Sequence, residues 1–196
     1  MLKIGITGGI GSGKSTVCKI FETLGIPVFY ADEESKKILS TDVEVISEVK
    51  RIFGNEVFSN NIPDRKKISE TVFNQPEKLK QLNSILHPAV IAKSETWFHS
   101  QKEKPYSIKE AALIYEIGAQ AFLDKVIVVT APEKIRIERI IKRDGITADE
   151  VQARLQNQMP EREKIAKADF IIVNDNEQLL IPQVLQIHEA LTNKQV

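Results

Sequence analysis

The sequence predicts an α/β protein built on a mainly parallel sheet of about five strands, with helices on both faces. Three observations lead there. Short apolar runs without strict inside-outside alternation recur along the chain, as expected of strands buried on both faces. Helical periodicity follows these runs, giving a repeated strand-then-helix order. The first run also passes directly into a glycine cluster, Gly8 to Gly13, that opens a helix.

Taken in order, Leu2 to Thr7 reads as a buried strand, and Val17, Ile20, Phe21 and Leu24 mark one face of the helix after the glycines. Gly25 is a natural helix stop. Residues 26–30 form a second strand-like run, and residues 31–39 look helical. From 41 to 104 no convincing strand occurs. Instead Val43, Ile46, Val49, Ile52 and Phe53, and later Leu79, Leu82, Ile85 and Leu86, repeat at helical spacing, so this stretch reads as a largely helical insertion. Strand-like runs resume at 108–115, 125–130 and 170–173, each expected to lead into a helix. Residues 178–191 close the chain as a further helix. The absence of repeats or Pro/Gly/Ser-rich linkers favours one domain over residues 1–196.

Composition narrows the functional classes. Lys and Arg number 27 against 27 Asp and Glu, a net charge of zero, which disfavours a dedicated nucleic-acid or polybasic membrane-surface protein. The longest uninterrupted apolar run, 111–115, is far below the roughly 18 residues that a spanning helix needs. The single cysteine, Cys18, and the lack of an apolar secretory stretch near Met1 make a reducing cytoplasm the expected setting. A monomer or weak homo-oligomer is expected.

The glycine cluster carries the chemistry. Gly8-Gly9-Ile10-Gly11-Ser12-Gly13-Lys14-Ser15 satisfies G-x-x-x-x-G-K-[ST] between a strand and a helix, the context in which such a loop binds a nucleoside triphosphate. Glycines let backbone N–H groups approach the phosphates, and the helix N-terminus adds its positive end. Lys14 is expected to reach the β- and γ-phosphates, and Ser15 to offer its hydroxyl to Mg²⁺. Gly8, Gly9, Gly11, Ser12, Gly13, Lys14, Ser15 and Thr16 form the candidate ATP-binding set, in a P-loop NTPase fold. No N-K-x-D or D-x-x-G pattern of a guanine switch is present. Nor does a four-residue apolar run end in the Asp of a motor ATPase.

Asp32, just past the second predicted strand, has two readings. It can orient or deprotonate an acceptor hydroxyl, provided its strand lies near the first, or it can begin a helix and complement the dipole with Glu33 and Glu34. Arg136, Arg139 and Arg143 fall at i, i+3 and i+7, one helical face. That face is either a lid that neutralises transferring phosphate or a solvated basic surface. His87, before Pro88, fits a helix-end structural position better than acid/base chemistry. No Cys/His metal-ligand spacing occurs, so nucleotide-borne Mg²⁺ is the only metal implied.

These motifs together resemble dephospho-coenzyme A kinases over nearly the whole chain. That family's T-G-G-I-G-S-G-K-S stands at Thr7 to Ser15, its D-A-D as Tyr30-Ala31-Asp32, its L-N-x-I-L-H-P at Leu82 to Pro88 and its P-L-L-F-E as Ala112 to Glu116. Its R-D-G-I follows at Arg143 to Ile146, R-x-x-x-Q-M at Arg154 to Met159, and A-D-F-x-I-x-N at Ala168 to Asn174. Departures are Tyr30 for Asp, Glu34-Ser35 for an apolar pair, Lys36 for Arg, Ala112 for Pro, and Asn176 where Gly often stands. The resemblance implies ATP-dependent phosphorylation of the ribose 3′-hydroxyl of dephospho-coenzyme A, the last step of coenzyme A synthesis. It further implies a helical acceptor-binding insertion at about 54–104 and a lid at about 139–164. Asp32 becomes the orienting carboxylate, Arg139 and Arg143 lid arginines, and Asn174 a neighbour of adenine. His87, Tyr115 and Glu116 are placed on the acceptor side. A kinase of another small acceptor, such as a nucleoside monophosphate or a shikimate-like alcohol, and a non-catalytic nucleotide-binding module are the competing expectations.

Overall fold

The structure, a computed structural model, describes residues 1–59, 62–73 and 75–193, without the side chains of residues 65 and 73. Its contacts divide the chain into two compact units, one of Met1–Tyr30 with Phe98–Val196 and one of Ala31–Trp97. The first unit opens with β1 (Leu2–Thr7), α1 (Lys14–Thr23) and β2 (Val28–Tyr30). The second holds α2 (Ala31–Thr41), α3 (Val43–Phe53), the short strands β3 (Phe58–Ser59) and β4 (Ile62–Pro63), α4 (Arg65–Phe73) and most of α5 (Pro76–Ser100). The first unit then resumes with β5 (Tyr106–Glu110), β6 (Lys125–Thr130), α6 (Glu133–Asp144), α7 (Ala148–Gln156), α8 (Glu161–Lys167), β7 (Phe170–Val173) and α9 (Leu180–Thr192).

In the first unit five strands form one sheet in the order β2-β5-β1-β6-β7, with every neighbouring pair parallel. The expected α/β class with about five parallel strands is what the chain adopts. Both faces are covered. Ile4, Ile6, Ile108, Ile127, Val129 and Ile172 pack with Val17 and Phe21 of α1 and Val184, Ile187 and Leu191 of α9. Val126 and Val128 alternate to the opposite face and meet Ile114, Tyr115 and Ala119. Burial of successive residues is why β6 reads as a continuous apolar run.

Three expectations change. The run expected at 108–115 is a strand only as Tyr106–Glu110; residues 111–115 leave the sheet and bury Ile114 and Tyr115 as a turn. No α-helix follows β5, only a 3₁₀ turn at Ala119–Phe122. The second strand is not beside the first, because β5 lies between them, with Tyr30 paired to Glu110 and Glu110 to Ile6.

In the second unit, Asp42 caps α3, its Oδ1 accepting the N–H groups of Glu44 and Val45 at 3.0 and 3.1 Å. Val45, Val49 and Phe53 line the buried face of α3, while α2 buries Ile38 and Leu39. α2 and α3 belong to this unit, which runs from Ala31 to Trp97. The small antiparallel β3–β4 pair lies inside the stretch read as strand-free. His87 stands within α5, not at a helix end. Pro88 removes one main-chain donor there, but Leu82, Leu86 and Val90 continue the buried stripe through it. No helix among the described residues is long and apolar enough to cross a membrane.

Candidate active site

The phosphate loop begins where β1 ends. Ser12 N–H donates to Gly9 O at 3.1 Å, Gly13 takes the left-handed conformation at φ 92°, and α1 starts at Lys14. Gly13 O accepts from Thr16 N–H and Val17 N–H, so the N-terminus of the helix opens at the loop. The Lys14 ammonium curls back to Gly8 O at 3.1 Å. Ser12 Oγ is buried with no hydrogen-bond partner. An orphaned hydroxyl, a lysine and a helix N-terminus at one loop make a site suited to an anion. Ser15 and Thr16 are exposed on the first turn, where a hard hydroxyl oxygen suits Mg²⁺.

The glycines serve the protein side of the loop too. A Cβ on Gly13 would stand 2.1 Å from Asn174 Nδ2, and one on Gly9 2.0 Å from Arg136 Nη1. A side chain at either position would displace Asn174 or Arg136, and at Gly13 it would also have to adopt the left-handed conformation.

Arg139 and Asn174 meet at this loop. Asn174 N–H donates to Thr130 O at 2.8 Å and its Nδ2 to Ser12 O at 2.8 Å. Arg139 Nη2 donates to Asn174 O at 3.0 Å, Asn174 Oδ1 at 3.2 Å and Asn176 Oδ1 at 2.5 Å, while Nη1 lies 3.4 Å from Gly11 O. Asn176 holds this position at φ 71°, in the left-handed region that Asn tolerates better than most residues.

The three arginines expected on one face have separate surroundings. Arg136 is buried, its Nη2 2.9 Å from Glu161 Oε2. Arg143 is exposed in the last turn of α6 and binds its neighbour Asp144 at 2.6 and 3.0 Å, with Arg154 on the same carboxylate at 2.9 Å. The Arg143 hydrogen bond raises the guanidinium pKa and lowers that of Asp144. Arg143 is thus engaged beside its own helix end and makes no described bond to the loop.

Tyr115 and Glu116 are likewise committed. The Tyr115 hydroxyl donates to Lys167 O at 3.0 Å, and burial pushes its pKa up to about 12. Glu116 Oε1 lies 2.7 Å from the fully buried Lys164 ammonium and accepts the Met159 N–H at 2.9 Å. Lys164 also donates to Ala112 O at 3.0 Å, which Thr7 Oγ1 reaches at 3.1 Å. Arg136, Glu161 and Lys164 carry no sequence signal of this burial, since each looks like part of a solvated charged run. In the helical unit, Asp32 is exposed in the acidic first turn of α2 with Glu33 and Glu34, and His87 is half-buried along α5.

The family model for dephospho-CoA kinase matches residues 2–179. A dephospho-CoA kinase from Bacteroides fragilis (strain YCH46) is 37% identical over 193 residues, covering 98% of this chain and 94% of that protein. Among solved structures, TT1252 from Thermus thermophilus aligns with a TM-score of 0.83 at 32% identity, over 100% of this chain and 98% of that one. A dephospho-CoA kinase from Campylobacter jejuni aligns with a TM-score of 0.73 at 29% identity, over 99% and 98%. Since the family match runs from β1 to the residue before α9 and takes in the phosphate loop, Arg139 and Asn174, the chain belongs to the dephospho-CoA kinase family.

Proposed function

We propose that this enzyme transfers the γ-phosphoryl group of ATP to the ribose 3′-hydroxyl of dephospho-coenzyme A, giving coenzyme A and ADP. The observation that carries the reading is the family match over residues 2–179 on a chain whose phosphate loop keeps its lysine and open helix terminus. The acceptor oxygen forms a bond to the γ-phosphorus as the bond to the β,γ-bridging oxygen breaks, and ADP leaves. Lys14 and the α1 N-terminus neutralise charge on the β- and γ-phosphates. Asp32 accepts the hydrogen bond of the 3′-hydroxyl and takes its proton; its exposure at the start of α2 supports that role. Ser15 would hold Mg²⁺ through its hydroxyl, and the ion would supply positive charge to neutralise the phosphates. Arg139 and Arg143 act as lid arginines near the phosphates, Arg143 only after leaving Asp144, and Asn174 lies near the adenine. His87 belongs on the acceptor side, while Tyr115 and Glu116 support that side through the α8 contacts. The cytoplasm, where ATP is supplied, is the proposed setting.

A panel of acceptors tests the reading. Purified protein with Mg·ATP is expected to release ADP with dephospho-coenzyme A far faster than with a nucleoside monophosphate or shikimate. Preference for another acceptor would make it a different small-molecule kinase. ATP binding with no acceptor phosphorylated would make it a nucleotide-binding module.

A further inference from the structure

Residues 158–164 hold together several parts of the first unit that sequence keeps far apart. Gln158 Oε1 accepts the Ile10 N–H at the tip of the phosphate loop, 2.9 Å away. The next residue, Met159, donates its N–H to Glu116. Glu161 Oε1 accepts Thr130 Oγ1 at 2.5 Å and lies 3.3 Å from Ala131 N, while its Oε2 holds Arg136 beneath Gly9. Lys164 closes the ring on Glu116 and Ala112. Every contact but one is made to elements that frame the loop from outside. The exception is Gln158, which alone of this segment bonds to the loop's own backbone among the described residues.

Position makes that bond consequential. α7 ends at Gln156, two residues before Gln158, and Met159 is fixed on a buried ion pair, so the short link between them is where α7 is joined to the framework. Ser12 N–H folds back onto Gly9 O, and Gln158 supplies the acceptor for the Ile10 N–H. A cavity of about 340 Å³, lined by Gly9, Arg136, Leu155, Gln158 and Glu161 among others, borders the same tip. A loop edge beside open space has few apolar contacts to fix it, and one directed acceptor then sets its conformation. The acceptor is a neutral carboxamide. A carboxylate would hold the N–H equally well but would set a negative charge next to bound polyphosphate.

We infer that Gln158 is a positioning residue for the phosphate loop, which presets the tip at Ile10 and couples α7 to nucleotide binding. The inference rests on the proposed kinase reading only in that ATP is the nucleotide. Its test is independent of any acceptor. Gln158→Met keeps the volume and loses the acceptor, whereas Gln158→Glu keeps the acceptor and adds charge. In the free proteins, amide hydrogen exchange across residues 8–13 is expected to quicken in Gln158→Met and to return to the wild-type rate in Gln158→Glu. ATP affinity, titrated directly, is expected to weaken by about three- to tenfold in Gln158→Met, the worth of one hydrogen bond. It should weaken further in Gln158→Glu despite the restored protection. Unchanged exchange in Gln158→Met overturns the inference, as does faster exchange with wild-type ATP affinity. Failure of the acceptor assay with these results intact would refute the kinase reading alone.

Discussion

The Arg139 guanidinium clasps Asn174 at two points, with Nη2 3.0 Å from the backbone carbonyl and 3.2 Å from Oδ1. Since Asn174 Nδ2 in turn holds Ser12 O, hydrogen bonds link α6, the end of β7 and the phosphate loop. Arg139→Ala is expected to raise the KM for ATP by roughly ten- to a hundredfold, as charged hydrogen bonds contribute about 1.5–3 kcal/mol. Arg139→Lys should recover little, because an ammonium cannot reproduce the planar fork. Steady-state kinetics at saturating acceptor checks both.

Asp32 is expected to matter for turnover and not for nucleotide binding. Asp32→Asn should lower kcat by about 10²–10⁴-fold, the usual range for a positioned general base, with ATP affinity unchanged. Titration of ATP alongside single-turnover rates separates the two quantities.

The Glu116–Lys164 pair predicts a stability test. Glu116→Leu leaves the fully buried Lys164 ammonium without its counter-charge, at a cost of about 3–5 kcal/mol. For a chain of this size the Tm should fall by about 10 °C. The double variant Glu116→Leu/Lys164→Met is expected to recover most of that loss, because no charge remains buried. Thermal unfolding of the three proteins decides it.

Asp175, between the two asparagines around Arg139, accepts the N–H groups of Gln178 and Glu177, each at 2.9 Å, and these bonds hold its pKa down to about 2. A carboxyl depressed on folding contributes stability above its unfolded value near 3.9, and the contribution disappears as pH falls through the folded value. The stability difference between wild type and Asp175→Ala should therefore be constant above about pH 5 and shrink between about pH 4 and 2. Denaturant unfolding across that range measures it.

Local chemistry made much of this molecule legible in the sequence. Leu2–Thr7, Lys125–Thr130 and Phe170–Val173 were readable as strands because each carries a short, mostly apolar run, such as Val126 to Val129, that the sheet buries in whole or in part. The loop from Gly8 to Ser15 was readable because backbone conformation and helix start are written into adjacent residues. β5 was misplaced for the same physical reason that exposed the others. Its Ser107, Lys109 and Glu110 are buried although polar, while the apolar residues after them form a turn, and apolar content cannot separate a buried strand from a buried turn. The Arg136–Glu161 pair, the Glu116–Lys164 pair and the Gln158–Ile10 bond join residues remote in sequence. No periodicity records such pairings, since they arise only when the sheet order has brought the segments together.

The proposed reaction passes phosphate from ATP to one hydroxyl of dephospho-coenzyme A. Incubating the protein with Mg·ATP and that acceptor, counting ADP, and locating the transferred phosphate by mass and ³¹P spectra tests it most directly. Equal amounts of ADP and coenzyme A, with the new phosphate on the ribose 3′-oxygen, are predicted. ADP release that is the same with and without the acceptor, or phosphate found on another atom, would contradict the account.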